Sequence, residues 1–200
     1  RDRWKVPDRV VRRQRAAGGD IAEQNLLATV EEAFSERERT QKLRNGYTNS
    51  PLLSKEQFSE LLEEIAEEMW LLRQNSLDRQ TARTVAGLVC ESFGLGRSER
   101  ALLEQRIDSH SFLEAESGGR TRFPHEIFFS RVLARRILRR LQEGDRPRLE
   151  ALLRIAPLKV SMAEQLVSLV APEGRPSDSA EVAFKACVLV GAQASRADRE

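Results

Sequence analysis

The residues that could do chemistry in this 200-residue chain are two histidines and two clusters of charged side chains. His110 and His125 are its only histidines, and neither has Cys or Asp partners at the short spacing that a metal site needs. A dense series of carboxylates extends from Glu60 to Glu68. We interpret that series as the solvated face of a helix and not as a catalytic pair. The sequence therefore predicts no catalytic residue and no metal ligand.

Sequence motifs that bind phosphate are also missing. The chain contains no G-x-x-x-x-G-K-[ST] loop and no G-x-G-x-x-G turn. Gly94-Leu95-Gly96 is too short to surround a phosphate, and it fits a break between two helices. No serine lies in a G-x-S-x-G turn. We predict that the chain by itself is not an enzyme and holds no cofactor of its own.

The second charged cluster is a basic ridge near residue 135. Arg131, Arg135 and Arg139 follow one another at a spacing of four residues, which places them on one face of a helix. Two interpretations stay open. The ridge is either a solvated face whose aliphatic stems lie along the surface, or a docking site for an acidic protein partner.

Composition indicates a mainly α-helical protein. Hydrophobic residues make up 40% of the chain and charged residues 32%, whereas aromatic residues make up only 6%. Cys90 and Cys187 lie in separate apolar stretches, which predicts buried free thiols and no disulfide. No apolar segment approaches the roughly 20 residues that cross a bilayer, and no apolar signal core opens the chain. We expect a cytoplasmic segment of a longer protein, without a membrane partner.

Helix-start signals divide the chain into elements. Capping residues predict helix starts at Asp20, Ser54 and Ser98, and a further helix is expected to run from about Asp78 to Glu91. Within the helices, the spacing of apolar residues predicts that Leu88, Ile127 and Val167, among others, are buried. Ser117-Gly118-Gly119 lies between two short β-like segments and predicts a hairpin. A long helix is expected to begin at Pro124 and to end before Gly144.

Helices followed by a hairpin are the order of a winged-helix module. We therefore predict a mainly α fold with a helical domain in residues 1–50, a winged-helix domain in 51–143 and short paired helices in 144–200. A winged helix commonly suggests DNA binding. The segment that would read DNA, residues 97–108, has three arginines and three acidic residues, and the whole chain has a net charge of only +2. This balance disfavours a nucleic-acid partner.

One stretch carries a resemblance to a known family. Arg122-Phe123-Pro124-His125-Glu126-Ile127-Phe128-Phe129, continuing to Leu133-Ala134, resembles the segment that leads out of the winged-helix domain in STAND-class NTPases, including NACHT-type proteins. Residues 53–70 are similar to the first winged-helix helix of bacterial members, and residues 32–38 to the helical domain before it. The chain departs from the family pattern at Phe129-Ser130-Arg131, which is more basic and lacks the usual tyrosine.

The resemblance implies a regulatory role in signalling or defence. In that family the winged-helix histidine commonly contacts the β-phosphate of ADP, and this role falls on His125. The resemblance further implies an upstream NTPase core that holds ADP or ATP with magnesium, a C-terminal region that senses a protein partner, and a homo-oligomer on activation. A winged-helix transcription regulator and an all-α docking scaffold are the alternatives.

Overall fold

The computed structural model describes residues 23–41, 43–46, 48–107, 113–115, 118–156 and 158–170, with side chains from residue 28 to residue 169. This part of the chain is mainly α-helical, as the composition predicts. Its helices are α1 (Glu23–Gln41), α2 (Lys55–Leu71), α3 (Arg79–Ser92), α4 (Arg97–Arg106), α5 (Glu126–Glu143), α6 (Arg146–Ile155) and α7 (Val160–Val170). Its strands are β1 (Leu77–Asp78), β2 (Glu114–Ala115) and β3 (Arg120–Arg122).

Three short strands form one antiparallel sheet in the order β1-β3-β2. Thr121 of β3 is aligned with Leu77 on one side and with Ala115 on the other. The predicted hairpin is confirmed, and Gly118 and Gly119 adopt the positive φ angles, 90° and 74°, that its turn requires. Strand β1 has only two residues and carries no pattern that would predict it. With it, the elements before α5 follow one another in the order α2-β1-α3-α4-β2-β3.

Local hydrogen bonds explain where the helices begin. The Ser54 hydroxyl accepts from the Gln57 backbone N–H at 3.2 Å, while the Gln57 side chain accepts from the Ser54 N–H at 2.8 Å, which confirms that capping box. Helix α3 begins at Arg79, close to the predicted start, and Asp78 is its N-cap. Ser98 is wrong as a cap, because α4 begins at Arg97 and Gly96 is its N-cap. Asp20 lies outside the described residues.

The hydrophobic core is built around α2 and α5. Helix α2 contributes fully buried side chains along its whole length, namely Phe58, Leu61, Leu62, Ile65 and Met69. Helix α5 packs against it and against α7, which adds Met162 and Leu166 to the same core. The core is therefore continuous across Gly144, where the sequence suggests a domain boundary.

Four apolar residues that were predicted to be inward are exposed, namely Leu72, Leu88, Ile127 and Val167. Leu88 is 60% exposed, because α3 turns the face of Ala82, Ala86 and Cys90 toward the core. Small side chains on that face let α3 approach its neighbours closely. The buried free thiol predicted for Cys90 is confirmed, and Cys187 lies outside the described residues.

Candidate functional site

The structure places His125 at the N-cap of α5, where its side chain is exposed. The helix begins at Glu126, two residues later than the predicted start at Pro124. The His125 carbonyl accepts hydrogen bonds from the backbone N–H groups of Phe128 and Phe129, at 3.1 Å and 3.3 Å. Its imidazole lies 6.1 Å from the Phe128 ring, measured between centroids. These contacts hold the backbone of His125 in place while its ring faces solvent.

The N-terminus of α5 has features that suit an anion. Backbone N–H groups of the first turn and the helix dipole favour negative charge there, and a histidine can donate a hydrogen bond in either protonation state. Glu126 would oppose an anion, but Lys159 pairs with its carboxylate at 2.7 Å. A cavity of about 210 Å³ opens beside this turn. Its lining residues are Asn75, Arg122, Phe123, Pro124, Glu126, Phe129 and Lys159.

The arginines of α5 do not form a solvated face, so that interpretation of the ridge is wrong for its buried members. Arg131 is only 7% exposed, and the neighbouring Arg136 is 1% exposed. The Arg131 Nε donates to a carboxylate oxygen of Glu31 on α1 at 2.7 Å. Arg135 pairs with the other oxygen of the same carboxylate. The ridge therefore binds acidic groups within the chain.

The carboxylates of α2 supply most of those acidic groups. Glu63 is 1% exposed and Glu67 is 6% exposed, so the solvated-face interpretation of residues 60–68 is wrong for both. Arg139 donates to the two oxygens of Glu63 at 2.7 Å and 3.1 Å, which is the bidentate geometry that guanidinium groups favour. This pair joins the C-terminal part of α5 to the middle of α2.

Arg136 is the most deeply buried cation of the network and lies between Glu64 and Glu67. Arg140 donates to Glu67 at 3.1 Å and also contacts Asp145, the N-cap of α6, at 3.3 Å. The network thus extends from α2 through α5 to the start of α6. It pairs Arg131, Arg135, Arg136, Arg139 and Arg140 with Glu31, Glu60, Glu63, Glu64 and Glu67.

Burial and pairing act in opposite directions on the pKa values of these groups. Burial raises the pKa of Glu64, although the charge of Arg136 opposes the increase. Burial alone would lower the pKa of Arg136, but its hydrogen bond to Glu67 and the charges of nearby glutamates raise it overall. The hydrogen bond to Glu63 raises the pKa of Arg139. Arg136 and Arg139 are therefore charged at every physiological pH, and the buried Arg136 needs its carboxylates.

Sequence reasoning noticed both charged clusters but did not pair them. The paired residues are separated by 69 to 104 positions, from Arg136–Glu67 to Arg135–Glu31, so no local spacing links them. A usable signal was nevertheless present, because each set keeps to one helical face and the charges are opposite. An external acidic partner would have to displace the Glu31 and Glu63 carboxylates from Arg131, Arg135 and Arg139.

The helix that would read DNA is occupied by contacts within the chain. Arg100 of α4 pairs with Glu91 of α3, and its Nε donates to Glu104 at 2.7 Å. The hydrogen bond to Glu104 is the main cause that raises the pKa of Arg100. On the β2-β3 hairpin, Arg122 lies 3.7 Å from Glu114. These ion pairs reduce the positive potential that a phosphate backbone would meet.

A larger cavity of about 390 Å³ lies among α2, α3, α5 and α6, between Leu88 and Arg148. Apolar side chains line it together with charged ones, and three of the charged ones, Glu64, Glu67 and Arg140, belong to the ion-pair network. Among the described residues, no group of three or more His, Cys, Asp or Glu side chains could hold a metal ion. In the same part of the chain, no helix is both long and apolar enough to cross a membrane.

No protein-family model, curated protein or solved structure matches this chain. Function is therefore inferred from the position of His125, from the ion-pair network and from the motif around residues 122–134.

Proposed function

We propose that this chain is a regulatory segment of a STAND-type signalling or defence NTPase and controls an ADP/ATP switch. One observation carries the proposal: His125 is exposed at the N-cap of the 18-residue helix α5, directly after the wing. It is the same histidine that the resemblance assigns to the β-phosphate of ADP. A rigid helix start presents this side chain to a ligand that another domain holds.

The residues of this chain would supply contacts to a phosphate and no chemistry. His125 would donate a hydrogen bond to the β-phosphate, and the first-turn N–H groups of α5 would add their dipole. Lys159 already offsets the charge of Glu126, so the anion would not meet an unpaired carboxylate. An upstream core of the same protein would hold the nucleotide and its magnesium ion. Whether ADP or ATP is bound then distinguishes the resting protein from the active one.

The packing of the C-terminal helices supports a role in regulation. Helix α7 has its largest set of contacts with α5, whose first turn carries His125. A protein partner that binds the C-terminal region would therefore act on helices that contact the switch helix directly. Release of the His125 contact on exchange of ADP for ATP would permit assembly into a homo-oligomer.

The test uses the complete protein that contains this segment. It is purified, denatured, and the released nucleotide is identified by ion-exchange chromatography. We expect ADP in the unaltered protein and a large loss of it in His125→Ala. Gln142→Ala is the matched control, since Gln142 is an exposed polar residue near the other end of α5. If both variants retain ADP equally, or if no nucleotide is found, the proposal is wrong.

A winged-helix DNA regulator is the second candidate, and the sheet order β1-β3-β2 favours it. It predicts duplex binding that weakens steeply with salt and is lost on charge reversal of Arg97, Arg100 and Arg122. The pairing of Arg100 with Glu91 and Glu104 makes this candidate weaker. The docking scaffold is weaker still, because the ridge arginines already have carboxylate partners.

A further inference from the structure

The side chain of Arg131 joins three helices at one buried point. From its position on α5, its Nε donates to Glu31 of α1 at 2.7 Å, and its Nη1 donates to Gln165 of α7 at 3.0 Å. Glu31, Arg131 and Gln165 are 5%, 7% and 7% exposed. Helices α1 and α7 belong to opposite ends of the described chain. Arg131 is thus the side chain that donates to both.

The surroundings leave few other groups to replace these acceptors. Arg135 shares the Glu31 carboxylate, so loss of Glu31 would leave two cations short of a partner. Between α5 and α7, the hydroxyls of Ser130 and Ser161 are 3.1 Å apart and are already bonded to each other. Buried Met162 and Leu166 complete the α7 contact and offer no acceptor from their side chains.

We infer that Arg131 is a coupling residue that makes the docking of α1 and the docking of α7 depend on each other. A buried guanidinium is stable only while its donors have partners. When either helix leaves, the Arg131 side chain must turn toward water, and its bond to the other helix is lost in the same movement. Each helix therefore stabilises the other through the shared Arg131 side chain and not through a direct contact at this point.

The coupling gives the fold a way to pass a local change over a long distance. A partner that draws α7 away from α5 removes the Gln165 acceptor and loosens α1, more than 100 residues earlier in the chain. The effect is reciprocal, because a coupling free energy between two sites acts equally in both directions. It needs no nucleotide, so it stands or falls separately from the proposed switch.

Hydrogen exchange of the protein that contains these 200 residues, read by mass spectrometry, tests the coupling from both sides. Glu31→Gln removes the charge on α1, and exchange is read in α7. Gln165→Met removes the acceptor on α7, and exchange is read in α1. The matched controls are Glu32→Gln and Glu164→Gln, which change exposed neighbours on the same two helices.

We expect each buried substitution to raise amide exchange in the distant helix at least about tenfold, and each control to change it less than about twofold. Exchange that rises only in the substituted helix and in α5 would overturn the inference. If Glu31→Gln does not fold, Arg131→Lys replaces it. A single ammonium cannot reproduce the fork of donors, so exchange should then rise in both α1 and α7 together.

Discussion

The indole Nε1 of Trp70 donates a hydrogen bond of 2.8 Å to the backbone carbonyl of Leu152, and both groups are buried. The bond joins the C-terminal end of α2 to α6, across 82 residues of sequence. This hydrogen bond adds a polar contact to the apolar packing that continues the core past Gly144. The predicted paired-helix region therefore folds against α2.

We expect Trp70→Phe to destabilise the chain. Phenylalanine keeps most of the apolar contact but leaves the Leu152 carbonyl buried without its donor, which costs about 1–3 kcal/mol. Urea unfolding followed by circular dichroism measures the change. Phe93→Leu, an apolar change at a half-buried site outside this contact, is the comparison. Equal stability of Trp70→Phe and the unaltered chain would show that the bond contributes nothing.

Arg136 should be the most sensitive member of the ion-pair network. Arg136→Met removes one guanidinium from the buried Glu67 and the half-buried Glu64 and leaves both carboxylates with Arg140 alone. Removing one partner of a buried pair costs about 3–5 kcal/mol, so we expect a loss of that size in urea unfolding.

Arg154→Met is the control for that measurement, since Arg154 pairs with Glu150 on the exposed surface of α6. An exposed pair of this kind contributes about 0.3–0.5 kcal/mol. A similar effect of the two substitutions would contradict the role of burial.

The cap of α3 predicts a pH dependence. Asp78 accepts one hydrogen bond from the Thr81 hydroxyl at 2.6 Å and one from the Thr81 backbone N–H at 2.9 Å. Both hydrogen bonds lower the pKa of Asp78 below its ordinary value of 3.8. A carboxyl group with a lower pKa in the folded state stabilises above its unfolded pKa, and this contribution is lost as pH falls through the folded pKa. Asp78→Ala should therefore reduce the melting temperature at about pH 6 and have progressively less effect below pH 3.8.

Asp78→Asn separates the charge from the cap. An asparagine side chain still accepts the Thr81 N–H, so this variant should keep part of the stability and lose its pH dependence in that range. A constant difference between Asp78→Ala and the unaltered chain from about pH 6 to about pH 3 would rule out the carboxylate as its cause.

Cys90 should be chemically inert in the folded chain. Burial raises the pKa of its thiol to about 11, with a smaller contribution from the charge of Glu104. At about pH 8, only about one thiol in a thousand is then ionised, and the thiolate is the reactive form. In a Cys187→Ser background, labelling with a thiol reagent should be at least about a hundredfold slower in the native state than in denaturant. Fast native labelling would mean that the site opens readily.

The sequence by itself determined the elements that depend on neighbours within a few residues. The Ser54–Gln57 box, the Asp78 cap, the Gly118-Gly119 turn and the Gly144 stop all act over one turn of backbone, so their residue types are sufficient. The same local reasoning identified His125 as a residue at the start of a helix. Local reasoning was less reliable for which face of a helix is buried, since apolar spacing alone did not show that Ala86 is buried and Leu88 is exposed.

Only the tertiary structure decided which charged faces meet. The two-residue strand β1 forms because β3 pairs with it, and Arg131 is buried because Glu31, one hundred residues earlier, neutralises it. Pairing of this kind depends on distances between helices that local spacing does not encode. A stripe of arginines on one helix predicts a solvated face unless a stripe of carboxylates on another helix packs against it. The physical reason is that a charge can be buried only together with its partner.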